Sequence, residues 1–160
     1  MHERRKYKAI VFDLDGTLID SAPDIHAAIN RTLAEAGRRP LPLESVKQFI
    51  GDGAERLVAR AFAATGPALD GGALARHYER FLERYEGSEA VALTRPYPGV
   101  VETLGRLAAS GYRLGLCTNK PAGPTAEVLA RLGLASYFAA ALSPEQVPAL
   151  KPDPRHLLAV

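Results

Sequence analysis

The first apolar run, Ala9-Ile10-Val11-Phe12, reads as a buried strand and stops at an acid, Asp13. After it the period changes from strand to helix. Asp20-Ser21-Ala22-Pro23 punctuates the chain, and Ser21 is placed to cap a helix with Pro23 in its first turn. Ile25, Ile29 and Leu33 then recur at helical spacing until Gly37 and Pro40. A second helix is predicted from near Pro42, carrying Val46, Phe49 and Ile50 and broken by Gly51-Asp52-Gly53. A third carries Leu57, Val58, Ala61 and Phe62 and stops near Gly66-Pro67. Asp70-Gly71-Gly72 opens a fourth, whose stripe of Leu74, Tyr78, Phe81, Leu82 and Tyr85 reads as bundle core rather than a ligand box. Four amphipathic helices in succession with no strand between them predict a small bundle.

Pro96-Tyr97-Pro98-Gly99 marks a hinge or linker, after which helices and strands alternate. A helix is predicted over 100–109, a strand over 112–117 and a loop at Thr118-Asn119-Lys120-Pro121. A helix over 125–132 follows, with Gly133 past its end, and then a strand over 137–142. A loop with Pro144 and Pro148 leads to Lys151-Pro152-Asp153-Pro154, which opens a last helix capped by Asp153. This alternation predicts a parallel sheet with right-handed crossovers. The fold class is therefore α/β, with a core of residues 1–19 and 98–160 and an inserted helical cap of residues 20–97.

Composition narrows the function classes. The 160 residues suit one domain, or a core with an insertion, and 47% of them are hydrophobic, which is enough for a real core. Twenty Lys and Arg face 18 acids, a balance that gives no reason to expect nucleic acid as a partner. Arg4-Arg5-Lys6 reads as a solvated tail; no apolar stretch follows it as in a signal peptide, and no run is long enough for a membrane span. The single cysteine, Cys117, rules out an intrachain disulfide, suits a reducing cytoplasm and reads as buried packing.

The chemistry gathers where strands end. In extended backbone Asp13 and Asp15 share a face. Two carboxylates that close repel unless a cation stands between them, and a hard cation such as Mg2+ would also draw a phosphate. One Asp could attack phosphorus and the other protonate the leaving oxygen. The plain alternative is a strand ending in an Asp-Gly turn. Thr118 and Asn119 follow the second predicted strand and offer a hydroxyl and an amide donor; turn chemistry is their alternative. Lys151 supplies a point charge for a phosphoryl oxygen, or else belongs to a helix start.

In this order the clusters resemble the haloacid dehalogenase superfamily of phosphatases, and within it the phosphoglycolate phosphatase branch. Asp13-Leu14-Asp15-Gly16-Thr17-Leu18 is similar to the first motif, Thr118-Asn119 to the second and Lys151-Pro152-Asp153-Pro154 to the third. Pro96-Tyr97-Pro98-Gly99-Val100 and Thr118-Asn119-Lys120-Pro121 are the branch-like parts. The resemblance implies a Rossmann-like three-layer core with a parallel sheet, a helical cap and Mg2+. It implies that Asp13 is the nucleophile and a Mg2+ ligand, and that Asp15 is the acid/base with its carbonyl also on the metal. Thr118 and Asn119 would hold the phosphoryl group, and Lys151 would steady it and Asp13. Gly51-Asp52-Gly53-Ala54 resembles the cap loop that faces the site, and Arg56 beyond it could pair with a substrate carboxylate, the alternative being a solvated helix arginine.

The expected activity is Mg2+-dependent hydrolysis of a small phosphorylated metabolite, foremost 2-phosphoglycolate. Two departures from the family keep other readings open. Where the branch carries Gly-Gly-Asp, this chain reads Leu142-Ser143-Pro144-Glu145-Gln146, so an N-acetylmuramic acid 6-phosphate phosphatase is a rival; a phosphosugar mutase of the same superfamily, which also uses the paired acids, is another. The family's fourth motif, an acidic loop completing the metal site, is not found before Val160. The expectation is therefore a sheet incomplete at its C-terminus, with the first strand an apolar edge open to a homodimer. Such a chain would hydrolyse little, and a non-catalytic phosphate-binding or dimerising module is the alternative of another class.

Overall fold

The computed structural model describes residues 7–86 and 91–160; Arg4-Arg5-Lys6 lies outside the described residues. Three parallel strands, β1 (Ala9–Phe12), β4 (Arg113–Cys117) and β5 (Phe138–Leu142), form a sheet in the order β1-β4-β5. Helices α5 (Val100–Ala109) and α6 (Ala122–Arg131) connect them, and α7 (Pro154–Ala159) follows β5. Buried Leu104 of α5 and Val128 and Leu129 of α6 pack with Leu114 and Leu116 of β4 in one apolar cluster. Gly115 fits this sheet because a Cβ there would meet the Val160 side chain and crowd Val11 at 3.4 Å.

The strand expected to be buried is half-buried. Ala9 is exposed and residues 10–12 are intermediate, whereas Leu114 to Cys117 are buried. The reason is topological: β1 pairs with β4 on one side and, among the described residues, with no strand on the other.

A second apolar cluster belongs to α1 (Ala22–Glu35), α2 (Leu43–Lys47), α3 (Ala54–Thr65) and α4 (Gly71–Arg84). Ile25, Ile29, Leu33, Val46, Phe62 and Phe81 are buried in it, and Asp70 caps α4 by accepting the Ala73 N–H at 2.7 Å. Helix α2 is shorter than the sequence suggests. Phe49 and Ile50 lie in the turns after it, yet still pack against the cluster. Conversely α6 starts earlier than predicted, directly after Pro121. The distant Glu145 carboxylate accepts the Ala122 N–H at 3.1 and 3.3 Å, supplying a cap that no local residue offers.

The chain enters and leaves the helical segment through a two-stranded antiparallel ribbon, β2 (Ile19–Asp20) with β3 (Arg95–Pro96). Beside it Asp24 is 4% exposed and accepts from Leu93 N (3.1 Å), Thr94 N (2.7 Å) and Thr94 Oγ1 (2.6 Å). One buried carboxylate in the first turn of α1 thus holds the returning strand.

Candidate active site

Asp13 and Asp15 stand just past the carboxyl end of β1. Leu14 between them is fully buried, so alternation along the chain turns both acids to the other face. The Leu14 carbonyl takes N–H bonds from Leu18 (2.9 Å) and Ile19 (3.2 Å), and Gly16 turns the chain with a φ of 77°. Thr118, Asn119 and Lys120 follow the end of β4, and Lys151 sits in the loop after β5. All three clusters therefore lie at the carboxyl ends of parallel strands, where open α/β sheets place their ligands.

Lys151 Nζ is 2.7 Å from Asp13 Oδ1 and donates to the Cys117 carbonyl at 2.9 Å. An ammonium has a third proton, which is available to a phosphoryl oxygen. Thr118 is 1% exposed; its Oγ1 accepts the Lys120 N–H at 3.0 Å, which leaves the hydroxyl proton to give. Asn119 is placed differently. Its Nδ2 donates to the Gly51 carbonyl (2.9 Å) and the Lys151 carbonyl (3.1 Å), while its Oδ1 accepts the Lys151 N–H (3.0 Å). The side chain is engaged as a clamp between the helical segment and the Lys151 loop. Cys117 is buried and burial pushes its thiol up, which makes it packing rather than a nucleophile.

Two residues that carry no site assignment from the sequence complete the arrangement. The Ser21 hydroxyl, expected to cap α1, makes no capping bond and donates to Asp15 Oδ1 instead. Lys120 Nζ is 3.1 Å from the same oxygen and also donates to the Tyr85 hydroxyl. Burial alone would lower Lys120, but the Asp15 carboxylate and the Tyr85 oxygen outweigh it and hold the ammonium above the ordinary lysine range. Burial pushes the Tyr85 hydroxyl up to about 12, against the opposing pull of Lys120. Tyr85 is packed in the bundle as its stripe predicts, but its polar end faces the core. The sequence signal for Lys120 was its place directly after Thr118-Asn119.

A small cavity of about 40 Å³ lies between the core acids and the helical segment. Its core wall includes Asp13, Asp15, Thr118, Asn119 and Lys120, and its helical wall includes Ile25, Ile50, Leu57 and Phe81. Arg56 is exposed and does not line it; Ala54 and Leu57 do. Among the described residues no three acid, His or Cys side chains group as a metal site. The oxygen donors still suit Mg2+. Both described contacts of Asp13 fall on Oδ1, leaving Oδ2 uncommitted among the described residues, and the Asp15 carbonyl accepts no hydrogen bond from them. Mg2+ commonly takes one or two carboxylates and completes its shell with waters and phosphate.

A three-stranded parallel sheet carrying two acids and a buried lysine at its strand ends is suited to phosphoryl transfer. The chain belongs to the haloacid dehalogenase-like hydrolase family, whose model matches residues 7–160, and it is a phosphatase of that family. It is 47% identical over 150 residues to a phosphoglycolate phosphatase of Cereibacter sphaeroides, covering 94% of this chain and 68% of that one. A phosphoglycolate phosphatase of Nitrosospira multiformis is 43% identical over 161 residues, covering 99% of this chain and 70% of that one. The crystal structure of a predicted phosphoglycolate phosphatase from Haemophilus somnus superposes with a TM-score of 0.89 at 31% identity, covering 98% of this chain and 71% of that one. No helix among the described residues is long and apolar enough to cross a membrane.

Proposed function

We propose that this phosphatase is a Mg2+-dependent phosphomonoester hydrolase that works through an aspartyl-phosphate on Asp13, with 2-phosphoglycolate as substrate. The observation that carries the reading is the Lys151–Asp13 ion pair of 2.7 Å, whose Asp13 lines a cavity together with Asp15 and Thr118. The relatives named above support the substrate.

In this reading an Asp13 carboxylate oxygen attacks phosphorus and the ester P–O bond breaks. Asp15 gives its proton to the departing alcohol oxygen. Asp15 then takes a proton from a water that attacks the phosphorus of the acyl phosphate; the bond to Asp13 breaks and phosphate leaves. Lys151 and the Thr118 hydroxyl offset charge on the phosphoryl oxygens. Asp13 and the Asp15 carbonyl are the groups that would hold Mg2+, which when bound neutralises phosphoryl charge. We place residues 20–97 as the cap over residues 1–19 and 98–160, and the enzyme in the cytoplasm, consistent with one buried free thiol.

The deciding experiment is phosphate release from 2-phosphoglycolate with Mg2+ and with chelator. Metal-dependent release supports the reading. Release from N-acetylmuramic acid 6-phosphate in preference, or retention of a sugar bisphosphate, would replace it with one of its two rivals.

A further inference from the structure

Among the polar contacts that tie the helical segment to the core, two land on neighbouring residues of one loop. Asn119 reaches the Gly51 carbonyl, and Lys120 reaches Tyr85 beyond the end of α4. The Lys120 contact does more than join two surfaces. The same ammonium engages Asp15 Oδ1 at 3.1 Å, and its side chain is only 2% exposed. It also lies 4.5 Å from the centre of the Tyr85 ring. A buried ammonium must keep its partners, so the three groups fix one another. Because Ser21 also donates to Oδ1, both contacts hold Asp15 by the same oxygen and set the carboxyl's orientation.

We propose that Lys120 is a positioning residue for Asp15, and that Tyr85 makes this positioning conditional on the helical segment being docked. The inference rests on Asp15 being the acid/base of the reading above. When the segment lifts, Lys120 loses the Tyr85 oxygen and ring and meets water. A hydrated ammonium in high dielectric holds Asp15 weakly. The proton donor is thus held in place only in the docked state, in which bulk water is also kept out.

The test compares two leaving groups. Departure of the glycolate oxygen from 2-phosphoglycolate needs the Asp15 proton, whereas nitrophenolate leaves p-nitrophenyl phosphate as a stable anion without one. Tyr85→Phe keeps the ring in the bundle and removes only the oxygen. We expect kcat/KM, which reports formation of the acyl phosphate and not its hydrolysis, to fall about tenfold on 2-phosphoglycolate and to change less than about twofold on p-nitrophenyl phosphate. Lys120→Met removes the charge on an unbranched chain and carries the same comparison independently, with a larger selective loss. An equal loss on both esters in either variant, or no loss on 2-phosphoglycolate, overturns the inference while the assignment of Asp15 stands. If Asp15→Asn loses no more kcat/KM on 2-phosphoglycolate than on p-nitrophenyl phosphate, that assignment and the inference fall together.

Discussion

Lys151 Nζ lies 2.7 Å from Asp13 Oδ1, although the strands that lead to these residues, β5 and β1, are not neighbours. The intervening strand takes part, because the same ammonium donates to the Cys117 carbonyl at the end of β4. One cation thus joins all three strand ends, and it approaches Asp13 through a single oxygen. This leaves the carboxylate oriented and only partly neutralised, as an attacking group requires.

Asp13→Asn is expected to abolish phosphate release without unfolding the chain, since an amide keeps the shape but forms no acyl phosphate. Asp15→Asn should slow the reaction about 10²–10⁴-fold, the usual worth of general acid–base catalysis. Steady-state phosphate assays with circular dichroism as the fold control measure both. Near-normal turnover by the Asp13 variant would remove it as nucleophile.

Arg56→Ala is expected to change kcat/KM less than about twofold, because surface positions away from the site rarely matter more. The side chain is exposed and off the cavity wall. Assays on 2-phosphoglycolate and a neutral phosphomonoester check this. A loss confined to the acid would restore Arg56 as its carboxylate partner.

Asp24→Ala should destabilise the fold by about 2–4 kcal/mol, because it strands the buried N–H and O–H groups of Thr94 with no acceptor. Urea unfolding monitored by circular dichroism gives the difference. A change below the precision of the fit would show that water replaces the carboxylate there.

Stability should fall as pH rises from about 10 to 12. Burial lifts the folded Tyr85 hydroxyl to about 12 from an ordinary value of 10.0, so in this window the unfolded chain loses its proton while the folded chain keeps it. The contribution is fully present below pH 10 and is lost through the folded value. Lys120, also raised, acts with the same sign. Thermal melts of the wild type and Tyr85→Phe over this range test the point, with a shallower decline expected in the variant. Parallel slopes would mean that Tyr85 does not contribute.

Much of this architecture is local and therefore legible in the chain. The apolar run before Asp13 forms a strand with the bounds its pattern gives, and α5 begins at Val100 and ends at Ala109 as its spacing predicts. Asp70 and Asp153 cap their helices because a cap needs only a side chain within three residues. Asp13, Asp15, Thr118 and Lys151 stand out in the chain because each follows a strand or precedes a helix, and the fold brings them to one end of the sheet. What the sequence withheld depends on distant partners. Ser21 looks like a cap by every local criterion, yet its hydroxyl goes to Asp15. Asn119 looks like a phosphate donor, yet its amide spans Gly51 and Lys151. Tyr85 follows the bundle stripe, and only folding brings its oxygen to Lys120 and so to Asp15. Helical and strand periods report which face of an element is apolar. Where the polar end of a buried side chain points is decided by the element packed against it, and only the tertiary structure supplies that.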